Sequence, residues 1–171
     1  MNRSSILREM QNNIYVNMSQ FDSVVIEDQI IITRLTDNTE YSIKFRCQNF
    51  GDTYLINNIG VFVKLEGIEK QFESTLFEEL KKYYDDQFTL GISVSEFNVS
   101  SAICDYEIRN EKDLLLLNTD LVYFINEIQN VIFDTISDVQ SIANYISKFD
   151  YKAILRKKKD ERNKIKDECV N

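Results

Sequence analysis

The stretch Tyr41-Ser42-Ile43-Lys44-Phe45-Arg46-Cys47 decides the fold class. Its apolar side chains stand at every second position with polar or charged residues between, the period of a strand that buries one face and wets the other. Turn chemistry brackets it: Thr36-Asp37-Asn38-Thr39 before and Asn49-Phe50-Gly51-Asp52 after. Upstream, Val24 and Ile26, then Ile30 and Ile32, mark two short strands about a tight Glu27-Asp28 turn. Downstream, Thr53 to Ile56 reads as another strand. Such a meander is antiparallel and leaves one face for helices to cover.

Those helices are legible on either side. Over residues 3–20, Ile6, Met10, Ile14 and Val16 or Met18 recur at three- to four-residue spacing, with Ser4 or Ser5 as the expected N-cap. Gly60 and Gly67 bracket Val61, Val63 and Leu65, a short helix or strand. A middle helix is expected over 72–84 from Phe72, Leu76, Phe77, Leu80 and Tyr83 or Tyr84. Short strands are expected near 90–97 and 101–108.

From Leu114 to Phe149 apolar residues step by three or four with no Gly or Pro, giving one helix of about 35 residues or two with a bend near Asp134 to Asp138. Asn118-Thr119-Asp120 is an alternative cap for a shorter helix. The expectation is an α+β fold: an antiparallel sheet of about 4–6 strands with an N-terminal helix, a middle helix and a long C-terminal amphipathic helix. Residues 1–151 read as a single domain and 152–171 as a basic helical or flexible tail.

Composition narrows the chemistry. The chain has 171 residues, 43% hydrophobic and 28% charged, ordinary values for a folded domain. It contains no histidine, which removes Ser-His-Asp and Cys-His triads and the usual zinc and iron ligand sets. The four glycines form no phosphate-binding loop. Asp85-Asp86 and the pair Asp105 and Glu107 are acids without a nuclease spacing. Neither an enzyme activity nor a cofactor is expected. Three widely spaced cysteines, Cys47, Cys104 and Cys169, read as reduced thiols. With no apolar run long enough to span a bilayer and no signal-like segment, the expected location is the cytoplasm.

Charge is lopsided. Residues 152–171 carry about +4, which leaves about −12 on residues 1–151 of a chain whose net charge is −8. An acidic body repels nucleic acid. Asp113, Asp120, Glu127 and Asp134 recur every seven residues, about 10 Å apart on a helix. They read either as the solvated face of an amphipathic helix or as an acidic ridge that imitates a phosphate backbone. Arg156, Lys157, Lys158, Lys159 and Arg162 offer an alternative contact for nucleic acid or an acidic partner, without the interleaved aromatics that stack on bases. Tyr83-Tyr84 and Tyr123-Phe124 each place adjacent aromatics around a helix, leaving one of each pair for a partner.

Tyr41-Ser42-Ile43-Lys44-Phe45, Gly51-Asp52-Thr53-Tyr54-Leu55-Ile56-Asn57-Asn58-Ile59-Gly60 and Leu65-Glu66-Gly67-Ile68, with apolar helices near 76–84 and 114–133 after them, form a pattern. Over residues 40–133 this order resembles a bacterial and prophage-associated family, domain of unknown function 1828. Asn57-Asn58-Ile59-Gly60 stands where that family has an Asp-rich turn. The resemblance implies a small α+β domain from a mobile element and brings no activity.

The expectation is therefore a phage- or mobile-element-encoded interaction protein whose partner is a host protein. An inhibitor of a nucleic-acid-binding defence enzyme, in the manner of anti-CRISPR proteins, suits its acidity. The alternative is a regulatory or nucleic-acid-associated module acting through the tail. A homodimer through residues 114–149 is a further expectation.

Overall fold

The computed structural model describes residues 2–74, 88–93, 103 and 105–148. The chain divides into two compact units, the second beginning at Asp138. The first is an antiparallel sheet with helices on one face. Strands β1 (Asp22–Ile26), β2 (Gln29–Leu35), β3 (Thr39–Phe50) and β4 (Thr53–Leu65) follow one another as neighbours. The outer edge of β4 carries two partners end to end. Strand β5 (Leu90–Ser93) pairs with Gly60–Val63, and β6 (Tyr106–Ile108) pairs with Tyr54–Ile56.

Turn chemistry sets the register. Glu27 and Asp28 alone join β1 to β2, with Glu27 at φ +54°. Gly51 and Asp52 alone join β3 to β4, and Gly51 takes φ +67°, where a Cβ is disfavoured. In β3 Thr39, Tyr41, Ile43, Phe45 and Cys47 are all buried on one face, as the alternation predicts, and Ser42 on the other face is buried as well. On the opposite face the Lys44 ammonium lies 5.0 and 4.5 Å from the ring centres of Phe62 and Phe88. Gly60 makes room for the Phe62 ring, which would lie 2.7 Å from a Cβ there.

The expected break at Gly60 is absent. Asn57-Asn58-Ile59-Gly60 lies inside one 13-residue strand, β4, as a bulge. Lys44 pairs with Gly60 and Arg46 with Asn57, so two residues of β4 oppose the single Phe45. Asn58 takes up the extra residue at φ +49°. The bulge reverses parity, so Ile56 on one side and Ile59, Val61, Val63 and Leu65 on the other all reach the same core.

Helix α1 (Arg3–Asn17) begins where the expected range 3–20 does and ends three residues sooner, but neither Ser4 nor Ser5 is its N-cap. Asn2 is its N-cap, in a reciprocal pair with Ser5 (Ser5 N to Asn2 Oδ1 2.8 Å; Asn2 N to Ser5 Oγ 3.1 Å). It buries Ile6, Leu7, Met10 and Ile14, whereas Val16 is exposed and Met18, just past the helix, is buried. Helix α2 (Glu66–Glu73) begins directly after β4, runs through Gly67 and reaches the start of the expected 72–84 range. The remainder of that range, residues 94–97, 101, 102 and 104 of the two expected strands, and the tail lie outside the described residues.

The long C-terminal periodicity resolves into two helices, with the break inside the expected region. Helix α3 (Glu111–Ile128) is capped by Asn110, whose Oδ1 accepts from the amides of Lys112 (2.9 Å) and Asp113 (3.1 Å). Asn118 therefore sits mid-helix and caps nothing. At Gln129–Phe133 the ladder widens into a π-helical turn, with Asp134 N bonding back to Gln129 O at 2.9 Å. In the second unit, helix α4 (Val139–Ser147) is capped by Asp138 and Ser141.

The core lies between the sheet and helices α1 and α3. Phe124 of α3 meets Phe45 edge-on at 5.8 Å between ring centres, and Phe133 stacks against Tyr41 at 4.8 Å and Phe21 at 6.1 Å. The Tyr41 hydroxyl donates to the carbonyl of Ile136 at 2.8 Å in a buried position. Among the described residues no helix is long and apolar enough to cross a membrane.

Candidate functional site

Helix α3 buries Leu117, Asn118, Leu121, Phe124, Ile125 and Ile128, a stripe that recurs in steps of three or four with two adjacent pairs within it. At about 100° per residue, a seven-residue step falls about 20° short of two full turns. Asp113, Asp120 and Glu127 therefore form an almost straight row along one flank of that buried stripe. Leu116 and Tyr123, also seven apart, run beside it on the solvent side and are 51% and 67% exposed. Of the adjacent aromatics Tyr123-Phe124, the first faces solvent and the second is buried, the division expected of such a pair.

The three acids differ in their surroundings. Asp113 closes the start of α3 by accepting the Arg109 amide on Oδ2 at 2.9 Å. Asp120 is half-buried. Tyr106 of β6 lies next to this end of the row: its hydroxyl is pushed above the ordinary tyrosine value by burial first, then by the negative charges of Asp120 and Asp113. Glu127 is also half-buried, and its Oε2 is enclosed without a hydrogen-bond partner. A carboxylate oxygen shut away from water in this manner is costly unless something supplies a donor.

Asp134 does not belong to the row. The π-helical turn inserts one residue into the spiral and rotates the residues beyond it. Asp134 instead pairs with Arg34 of β2, Oδ1 to Nη1 at 3.0 Å. The sequence thus places four acids in line and the structure brings three together. It also adds a neighbour that spacing could not supply, Tyr106 from a separate strand.

Other candidates lie apart. Asp105 takes φ +57° in a turn outside β6, while Glu107 pairs with Arg109, so the two acids do not converge. Among the described residues no three His, Cys, Asp or Glu side chains gather as a metal ligand set. Tyr83-Tyr84, Asp85-Asp86 and the tail cations Arg156, Lys157, Lys158, Lys159 and Arg162 fall outside the described residues. Cys47 is buried, and burial pushes its thiol up to about 11, which makes it a poor nucleophile.

The arrangement is a row of negative charge about 20 Å long, edged by an exposed leucine and tyrosine. No protein-family model matches the chain, and neither a curated protein nor a solved structure matches it.

Proposed function

We propose that this chain is a non-enzymatic binding protein of the cytoplasm that presents the Asp113–Asp120–Glu127 flank of α3 to a protein partner. The partner is a host protein with a basic groove of the kind that holds a nucleic-acid backbone, so that the acidic row occupies the groove and inhibits it. The observation that carries this reading is the row of carboxylates Asp113, Asp120 and Glu127 on one flank of α3, beside exposed Leu116 and Tyr123. Carboxylates accept charge-assisted hydrogen bonds from the lysines and arginines of a basic groove. The adjoining leucine and tyrosine supply apolar contact, and tyrosine is among the residues that concentrate binding energy at interfaces.

The test is differential capture. The intact chain and a variant carrying Asp120→Lys and Glu127→Lys are immobilised and exposed to a host lysate, with and without added duplex DNA. Proteins lost from the variant and displaced by the duplex support the reading. Identical capture by both chains sinks it.

A further inference from the structure

The face of α3 turned away from the sheet is apolar where a solvated helix is ordinarily polar. Lys112, Leu115, Leu116, Thr119, Tyr123 and Asn126 are all exposed and follow one another at helical spacing, Leu115 at 66%. Two leucines and a tyrosine on one exposed stripe form a patch of the kind that marks an interaction surface. The Thr119 hydroxyl at its centre already donates to the carbonyl of Leu115 at 3.3 Å, so covering it strands no donor.

The stripe is symmetric about Thr119. Leu115 lies four residues before it and Tyr123 four after; Leu116 lies three before and half-buried Val122 three after. Its ends are complementary in charge: Lys112 lies seven residues before Thr119 and Glu127 eight after. Neither forms an ion pair among the described residues. A surface that carries its own complement in reverse order is what a two-fold axis across the helix requires. From this pattern we infer that the chain forms a homodimer in which α3 packs antiparallel on α3 of a second copy, about an axis at Thr119. Leu115 and Leu116 then meet Val122 and Tyr123 of the second copy, and Lys112 meets its Glu127. A parallel pair would set Lys112 against Lys112 and leave Glu127 unanswered. One helix pair is a small interface, so the dimer dissociates on dilution. The seam covers Leu116 and Tyr123, so a partner docked on the acidic row displaces the second copy; the dimer itself does not rest on that reading.

Sedimentation equilibrium of the purified full chain between about 1 μM and 1 mM tests this. The mass should rise reversibly from one chain to two and no further. Leu116→Glu, at an exposed position that does not threaten folding, should keep the chain monomeric throughout. Lys112→Glu should weaken association several-fold. Orientation is read by disulfide trapping in a chain carrying Cys104→Ser and Cys169→Ser, where buried Cys47 is the one native thiol left. Chains with Leu115→Cys and chains with Tyr123→Cys should cross-link when mixed, and each far less alone. The inference fails if the chain stays monomeric at every concentration, or if Leu116→Glu associates as the unaltered chain does. It also fails if each cysteine variant alone cross-links as readily as the mixture, the mark of a parallel pair. All of these readings use purified protein, so their failure is distinct from a failure of lysate capture.

Discussion

Asn13 of α1 donates its side-chain amide to the main-chain oxygen of Asn118 in α3, across 2.8 Å and 105 residues of sequence. The bond joins the two helices that cover the sheet, at the middle of the longer one. It sits part-buried, so water competes for it only weakly. Asn13→Ala should cost about 1 kcal/mol of unfolding free energy. Urea denaturation monitored by circular dichroism measures it, and an unchanged midpoint would show that the helices hold their places by apolar packing alone.

Tyr41 ties the centre of the sheet to the chain just beyond the π-helical turn. Its hydroxyl bond to the Ile136 carbonyl is buried, and burial raises the tyrosine above its ordinary pKa. Tyr41→Phe keeps the ring stacked on Phe133 and removes only the donor, leaving a buried carbonyl without it. The expected loss is about 1–2 kcal/mol, read from thermal or denaturant unfolding.

Glu127 is expected to behave in the opposite way. With one carboxylate oxygen enclosed and unpartnered, the side chain destabilises the free protein. Glu127→Met retains length and helix propensity, and should raise unfolding free energy by about 1 kcal/mol while weakening partner binding. A stability loss would mean that the carboxylate is already satisfied in the free chain.

Cys47 gives a pH signature. Burial dominates the rise of its thiol from 9.0 to about 11, with nearby Asp28 adding to the rise and Arg3 opposing it. The folded state thus holds the proton more tightly than the unfolded chain does. The resulting stabilisation is complete below pH 9 and is lost as pH climbs from about 9 to about 11. In a chain carrying Cys104→Ser and Cys169→Ser, iodoacetamide should label Cys47 at the rate of unfolding at neutral pH, as read by mass spectrometry. Rapid labelling under native conditions would contradict its burial.

The parts of this fold that the sequence discloses are those governed by local repetition. Alternation at Tyr41 to Cys47 reads correctly because one face of β3 is buried along most of its length. The two-residue turns at Glu27-Asp28 and Gly51-Asp52 read correctly because turn geometry selects residue type locally. Asn57-Asn58-Ile59-Gly60 misleads, since amides and glycine serve bulges and turns alike, and only the pairing with β3 distinguishes them. The row Asp113, Asp120 and Glu127 derives from helical period. Asp134 falls out of it because a π-helical turn adds one residue to the ladder without any change in composition. The placement of Tyr106 beside the row and the contact of Asn13 with Asn118 are tertiary, and no periodicity announces them.

The bulge at Asn58 divides β4 into two halves whose side chains are out of phase, reconciled by one residue. Removing Asn58 would leave a strand of uninterrupted alternation, more regular in pattern. In that shortened strand Ile56, Ile59, Val61 and Val63 would stand at every second position and share one face with no bulge at all. A further residue inserted here is the opposite case: unless a second bulge absorbed it, one half of β4 would turn inside out and expose either Ile56 or the run Ile59, Val61 and Val63. The strand is therefore one residue longer than its pairing needs, and Asn58 is where that surplus is stored.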